Sequence, residues 1–175
     1  MFQRILVAVE PTSAPTIVPQ AVAIAKVHGA QLLFVYIRST FDENYTGSFY
    51  PGVDTLYPTL NNPVLLNYAE EWAKAEARSQ DWLKALAAEA TLAGVSVTYR
   101  QQTGDPGMLL CQIAQDDSVD LILVGRRGRS GLSEMLLGSV SNYVMHHAPC
   151  SVLTLQGSAN ASSSTVDTLK QTAQV

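Results

Sequence analysis

The chain has 175 residues, 47% of them hydrophobic, and a formal charge of −4, with a sequence pI near 5.2. That is enough apolar mass for one sizeable core but not for two full domains. The acidic balance argues against a nucleic-acid partner. No stretch reaches the ~18 apolar residues that span a bilayer, and the early run Ile5 to Val9 is too short for a signal-peptide core. A cytoplasmic protein with no membrane partner is therefore expected. Two cysteines, Cys111 and Cys150, make no disulfide framework and read as reduced, buried thiols.

The elements alternate along the chain. Ile5–Val9 reads as a strand, broken by Glu10 to Pro15. Ser13 or Thr16 can cap the helix that follows, with Pro15 or Pro19 tolerated in its first turn. Val18, Ala21, Val22 and Ala25 form its apolar face and Gly29 ends it. Leu32 to Ile37 is a second apolar strand, and residues 39–62 lack periodicity and read as a long loop. From about Pro63 to Ala93, apolar groups recur at three- and four-residue steps. They include Leu65, Tyr68, Ala69, Ala75, Leu83, Leu86 and Ala90, and the stripe takes both Trp72 and Trp82 into the core.

Val95, Val97 and Tyr99 alternate with Ser96, Thr98 and Arg100, which predicts a half-exposed strand at a sheet edge. Asp105 is placed to cap a helix that has Pro106 at its first position. Asp120–Val124 predicts a strand buried on both faces, residues 132–147 a helix, and Ser151–Leu155 a final strand. Residues 157–175, rich in Ser, Thr, Ala and Gln, read as a disordered tail outside a domain spanning 1–156. Alternating strands and helices mean an α/β fold, an open parallel sheet with right-handed crossovers and helices on both faces. Its ligand belongs beyond the carboxyl ends of the strands, where the winding reverses.

Gly125-Arg126-Arg127-Gly128-Arg129-Ser130-Gly131 leaves the buried fourth strand, and Gly138-Ser139 follows ten residues after Gly128. Glycines let backbone amides approach an anion, and a following helix start supplies further free N–H groups. Ser139 adds a hydroxyl donor. Arg126, Arg127 and Arg129 gather three of the eleven cationic side chains at this one place, and Arg127 and Arg129 can pair with phosphate in a planar fork. The run is a candidate phosphate cradle on an otherwise acidic protein.

These residues carry a resemblance. Arg4-Ile-Leu-Val-Ala-Val9, Asp120 to Gly131, Gly138-Ser-Val-Ser141 and His147-Ala-Pro-Cys-Ser-Val-Leu-Thr-Leu155 look like the universal stress protein family over roughly residues 1–156. The glycine signature is that of its ATP-binding branch. The resemblance implies a five-stranded sheet in the order 3-2-1-4-5, an adenine nucleotide alpha-hydrolase-like fold. It also implies a homodimer joined through the C-terminal strand, Ser151–Leu155, and ATP bound with magnesium or manganese. By matching position, Ala8, Val9 and Glu10 would lie beside the nucleoside and Ile37 would offer its backbone to adenine. Gly125, Arg126, Arg127, Gly128 and Arg129, with Gly138, Ser139, Val140 and Ser141, would surround ribose and phosphates. The family usually carries Asp where this chain has Glu10, which sets the carboxylate one methylene further out.

Little points to efficient turnover. No Gly-x4-Gly-Lys-Ser/Thr is present, nor the kinase set of Lys and two Asp. Adjacent His146 and His147 point apart on a helix and read as favourable partners of its carboxyl end, as does His28. Glu70-Glu71 and Asp116-Asp117 read as solvated helix faces. The expectation is thus a nucleotide-dependent stress sensor or switch. A nucleotide-independent dimeric interaction or chaperone-like protein, and a slow ATPase or autokinase, are the alternatives. The last strand supports pairing by itself, since Val152, Leu153 and Leu155 are too apolar for an open edge.

Overall fold

The protein is described from a computed structural model, which defines residues 1–39, 63–125 and 138–156, with side chains of the long helix from Glu70 onward. The described residues form β1 (Arg4–Ala8), α1 (Ala14–His28), β2 (Gln31–Arg38), α2 (Pro63–Leu92) and β3 (Val97–Thr103). These are followed by α3 (Pro106–Asp116), β4 (Leu121–Gly125), α4 (Ser139–His147) and β5 (Ser151–Leu155).

The strands make one parallel sheet in the order β3-β2-β1-β4-β5, as the alternation and the resemblance predict. Period-two alternation divides the apolar strand residues between two cores. Ile5, Val7, Leu32, Phe34, Leu121 and Leu123 pack with Ile17, Ala21 and Ala25 of α1 and with Leu83, Ala87 and Ala90 of α2. On the opposite face, Leu6, Leu33, Val35 and Ile122 pack with Leu110 and Ile113 of α3 and Val144 of α4. The central strands are covered on both sides, which is why they read as unbroken apolar runs.

The amino ends of β1 and β4 are tied together by one side chain. Asp120 Oδ2 accepts hydrogen bonds from the backbone N–H groups of Gln3 (2.6 Å) and Arg4 (2.8 Å). Its own N–H donates to the Arg4 carbonyl at 2.9 Å. The Arg4 amide first, and then that of Gln3, hold this carboxyl below the usual carboxylate range.

Several expectations are corrected. β3 starts at Val97 rather than Val95 and runs on to Thr103, because its ladder with β2 extends to the pair Arg38 and Thr103. Pro19 lies inside α1, not in its first turn. Ser13 occupies the N-cap position without a side-chain cap, and the carbonyl of Glu10 receives the amides of Ser13 (3.1 Å) and Ala14 (2.9 Å) instead.

Asp117 is not a solvated helix face. It is half-buried, with Arg100 at 2.9 Å and Arg4 at 4.0 Å. The 2.9 Å contact is an ion pair by distance and lacks hydrogen-bond alignment at Asp117 Oδ2. Cys111 and Cys150 are free but only partly buried. Trp82 meets the core edge-on against Tyr36, with ring centroids 5.5 Å apart. Trp72 is partly buried, and the guanidinium of Arg38 lies 4.0 Å from its ring centroid. The expected 39–62 loop (beyond Ser39) and the expected tail fall outside the described residues, as do the side chains of Leu65, Tyr68 and Ala69.

Candidate functional site

The carboxyl ends of β1, β2 and β4 converge at the place where the winding reverses. β1 pairs with β2 on one side and β4 on the other. Extending the register from Val7↔Leu123 sets Gly125 level with Val9. Extending Ala8↔Val35 sets Ile37 level with Glu10. The buried Val9 donates its N–H to the Val35 carbonyl at 2.9 Å, so the ladder continues past the last residue of β1. Ala8, Glu10, Ile37 and Gly125 are each partly exposed along this rim.

Gly125 lies close against the start of α1. A Cβ there would come within 3.0 Å of Ile17 Cδ1 and 3.7 Å of Ser13 Cβ. A side chain at this point would crowd Ile17, so packing favours a small residue here. Neither Ser13 nor Ile17 was singled out as a neighbour of the glycine run; only the fold brings them there.

Gly138 is the N-cap of α4, with φ −59° and ψ 155°. Of the expected helix over 132–147, residues 132–137 lie outside the described residues, and extended backbone at Gly138 sets the start of the described part at Ser139. Asn142 N–H donates to the Gly138 carbonyl at 2.9 Å, closing the first turn. The amides of Ser139, Val140 and Ser141 precede the first in-helix donor and have no partner within the helix. Ser141 is 1% exposed, and its hydroxyl donates to the Gly138 carbonyl at 2.9 Å. Ser139 is exposed and Val140 half-buried. Arg126, Arg127, Gly128 and Arg129 lie outside the described residues.

α4 is held by a close helix contact, since a Cβ on the buried Gly107 of α3 would lie 2.8 Å from Tyr143 Cδ1. Tyr143 in turn stacks on His147, with centroids 4.0 Å apart at 13°. The start of α4 is thus positioned from α3. Asp105 caps α3 as expected, accepting from Met108 N–H at 2.8 Å.

At the far corner of the rim stands a pair that the sequence did not disclose. Arg38, the last residue of β2, is 8% exposed. Its carbonyl receives the Gly104 amide at 3.0 Å, its guanidinium covers Trp72, and its Nη1 is buried with no hydrogen-bond acceptor. A cation ending an otherwise apolar strand was the available signal. Among the described residues, no group of three or more His, Cys, Asp or Glu side chains could hold a metal ion. Among them too, no helix is long and apolar enough to cross a membrane.

A profile of the universal stress protein family matches residues 1–156. Universal stress protein Slr1101 of Synechocystis sp. is 41% identical over 101 residues, covering 57% of this chain and 94% of its own. Among solved structures, universal stress protein UspA from Lactobacillus plantarum is 25% identical with a TM-score of 0.66, covering 88% of this chain and 97% of its own. A universal stress protein in complex with cAMP is 21% identical with a TM-score of 0.59, covering 89% and 97%. An Arabidopsis thaliana family protein with AMP bound is 18% identical with a TM-score of 0.58, covering 90% and 93%. The last two speak for the fold alone. On the profile match over residues 1–156, with the strand order and the helix placement agreeing, the chain belongs to the universal stress protein family.

Proposed function

We propose that this protein binds an adenine nucleotide, ATP in the first instance, at the carboxyl ends of β1 and β4, and acts as a nucleotide-dependent switch in a stress response. The observation that carries the reading is the start of α4. Its three unpaired amides follow Gly138 at the point of winding reversal, where helix dipole and free N–H groups favour an anion. The glycine- and arginine-rich run that links β4 to this helix supplies the positive charge.

In this reading Ala8, Val9, Glu10 and Ile37 flank the nucleoside, while Gly125, Arg126, Arg127, Gly128, Arg129, Gly138, Ser139, Val140 and Ser141 enclose the phosphates. AMP and cAMP in the two structural neighbours support an adenine nucleotide as the ligand class. Glu10 is the one described carboxylate among these residues, so magnesium or manganese would be held chiefly by phosphate oxygens. The metal brings charge neutralisation to the polyphosphate. The output is a change in conformation or partner binding, with at most slow hydrolysis. Residues 1–156 form the domain, working as a cytoplasmic homodimer through Ser151–Leu155.

The test is calorimetric titration of the purified full chain with ATP, AMP, cAMP and adenosine, with and without magnesium. Mass spectrometry of small molecules released on denaturation accompanies it. The reading expects saturable binding that Gly128→Val weakens by at least about tenfold. No binding to any of the four, and no released nucleotide, would leave the nucleotide-independent interaction protein in its place.

A further inference from the structure

We propose that Arg38 is a specificity-determining residue of the nucleotide site, donating from Nη1 to an acceptor on the edge of the bound purine. The proposal rests on the nucleotide reading above. Three observations lead to it. First, the guanidinium is withdrawn from water, yet Nη1 makes no hydrogen bond. A buried, permanently charged donor without a partner is strongly disfavoured, so the arrangement calls for an acceptor that arrives from elsewhere.

Second, the side chain is fixed in advance. Gly104 N–H holds the Arg38 carbonyl at 3.0 Å, at the end of the β2–β3 ladder. Trp72 supports the guanidinium face at 4.0 Å. Stacking occupies the face of the cation and leaves its edge for in-plane hydrogen bonds.

Third, its position in the fold selects the part of the nucleotide. Arg38 follows Ile37 at the carboxyl end of β2, and β1 lies between β2 and β4. Two strand spacings of about 4.8 Å therefore separate the backbone of Arg38 from that of β4. A nucleotide with its phosphates at the start of α4 and its length laid across β1 brings its base to β2. Purine ring nitrogens are acceptors that can lie in the plane of the guanidinium. The phosphate charge stays with the glycine run and α4.

The experiment measures Kd for adenosine, AMP, ATP and inorganic tripolyphosphate with the full-length protein and with Arg38→Met, each checked for folding by its melting curve. The expected result is a loss of about tenfold or more, equal for adenosine, AMP and ATP, as befits one charge-assisted hydrogen bond. Tripolyphosphate affinity stays unchanged. Should Arg38→Met fail to fold, Arg38→Lys carries the same comparison, because it keeps the cation while losing the planar edge. Unaltered adenosine affinity overturns the proposal. So does a loss confined to ATP and tripolyphosphate, which would make Arg38 a phosphate ligand. If the unsubstituted protein binds none of the three nucleosides and nucleotides, the nucleotide reading itself fails and this proposal falls with it. Normal binding that Arg38 variants leave intact removes this proposal alone.

Discussion

Gly107 of α3 and Tyr143 of α4 approach so closely that a Cβ on the glycine would stand 2.8 Å from the aromatic ring. The contact also reaches Tyr143 Cγ at 2.9 Å and Cβ at 3.0 Å, close to the helix backbone, so it has little room to yield. Gly107→Ala is expected to cost about 1–3 kcal/mol, the usual penalty for overpacking a tight contact. Because Tyr143 is on the helix whose first turn presents the free amides, ATP affinity should fall as well. Thermal melting and titration of one variant check both effects. A melting temperature and a Kd equal to those of the parent would show that α4 is not positioned from α3.

Asp120 gives a pH dependence with a definite sign. Folding lowers its pKa through the amides of Arg4 and Gln3. Its contribution is therefore complete above the unfolded carboxylate value and is lost as pH falls through the lower, folded value. Asp120→Ala should melt several degrees below the parent from about pH 5 to 8, and the gap should narrow below about pH 4. Melting curves across this range test it; a gap that stays constant into strong acid would contradict the assignment.

Both thiols should be slow nucleophiles at neutral pH. Burial raises the pKa of Cys111. Burial first, then Asp120 and Cys111, raise that of Cys150. Less thiolate is present at pH 7 than in a free cysteine, so reaction with a disulfide reagent should lag behind that of glutathione and keep rising with pH after glutathione has levelled off. Rapid neutral labelling of either residue would oppose this.

Pairing through β5 predicts a change of mass. Leu153 is 38% exposed on the outermost strand. Leu153→Glu should convert the proposed dimer to monomer with little loss of melting temperature beyond that due to dissociation. Light scattering behind a sizing column reads the outcome. A parent protein that is already monomeric, or a variant that remains dimeric, would place the interface elsewhere or remove it.

Much of this architecture was legible in the amino-acid order because its physical determinants are local. Ile5–Val7 and Leu121–Val124 must be apolar throughout when helices lie on both faces. Asp105 followed by Pro106 specifies a helix start within four residues. The start of α4 was harder, since Gly138 breaks a run that contains no proline or other strong stop. The contact of Trp72 with Arg38 was not legible, because Arg38 is distant in sequence. Asp117 was misread for the same reason: Arg100 and Arg4 reach it only after the sheet has formed. The glycine run announced an anion site by composition, but the packing of Gly125 on Ile17 depends on a helix more than a hundred residues earlier.

The two outer strands are chemically unlike. β3 carries Thr98, Tyr99, Arg100, Gln101, Gln102 and Thr103 along its length, while β5 turns Val152 and Leu155 into the cores and leaves Leu153 exposed. A hydrophilic rim discourages stacking of further sheets, and an oily one invites a single mate. Growth by rim-to-rim addition would accordingly halt once two copies had met, leaving a discrete particle where a chain with two greasy margins would polymerise into fibres.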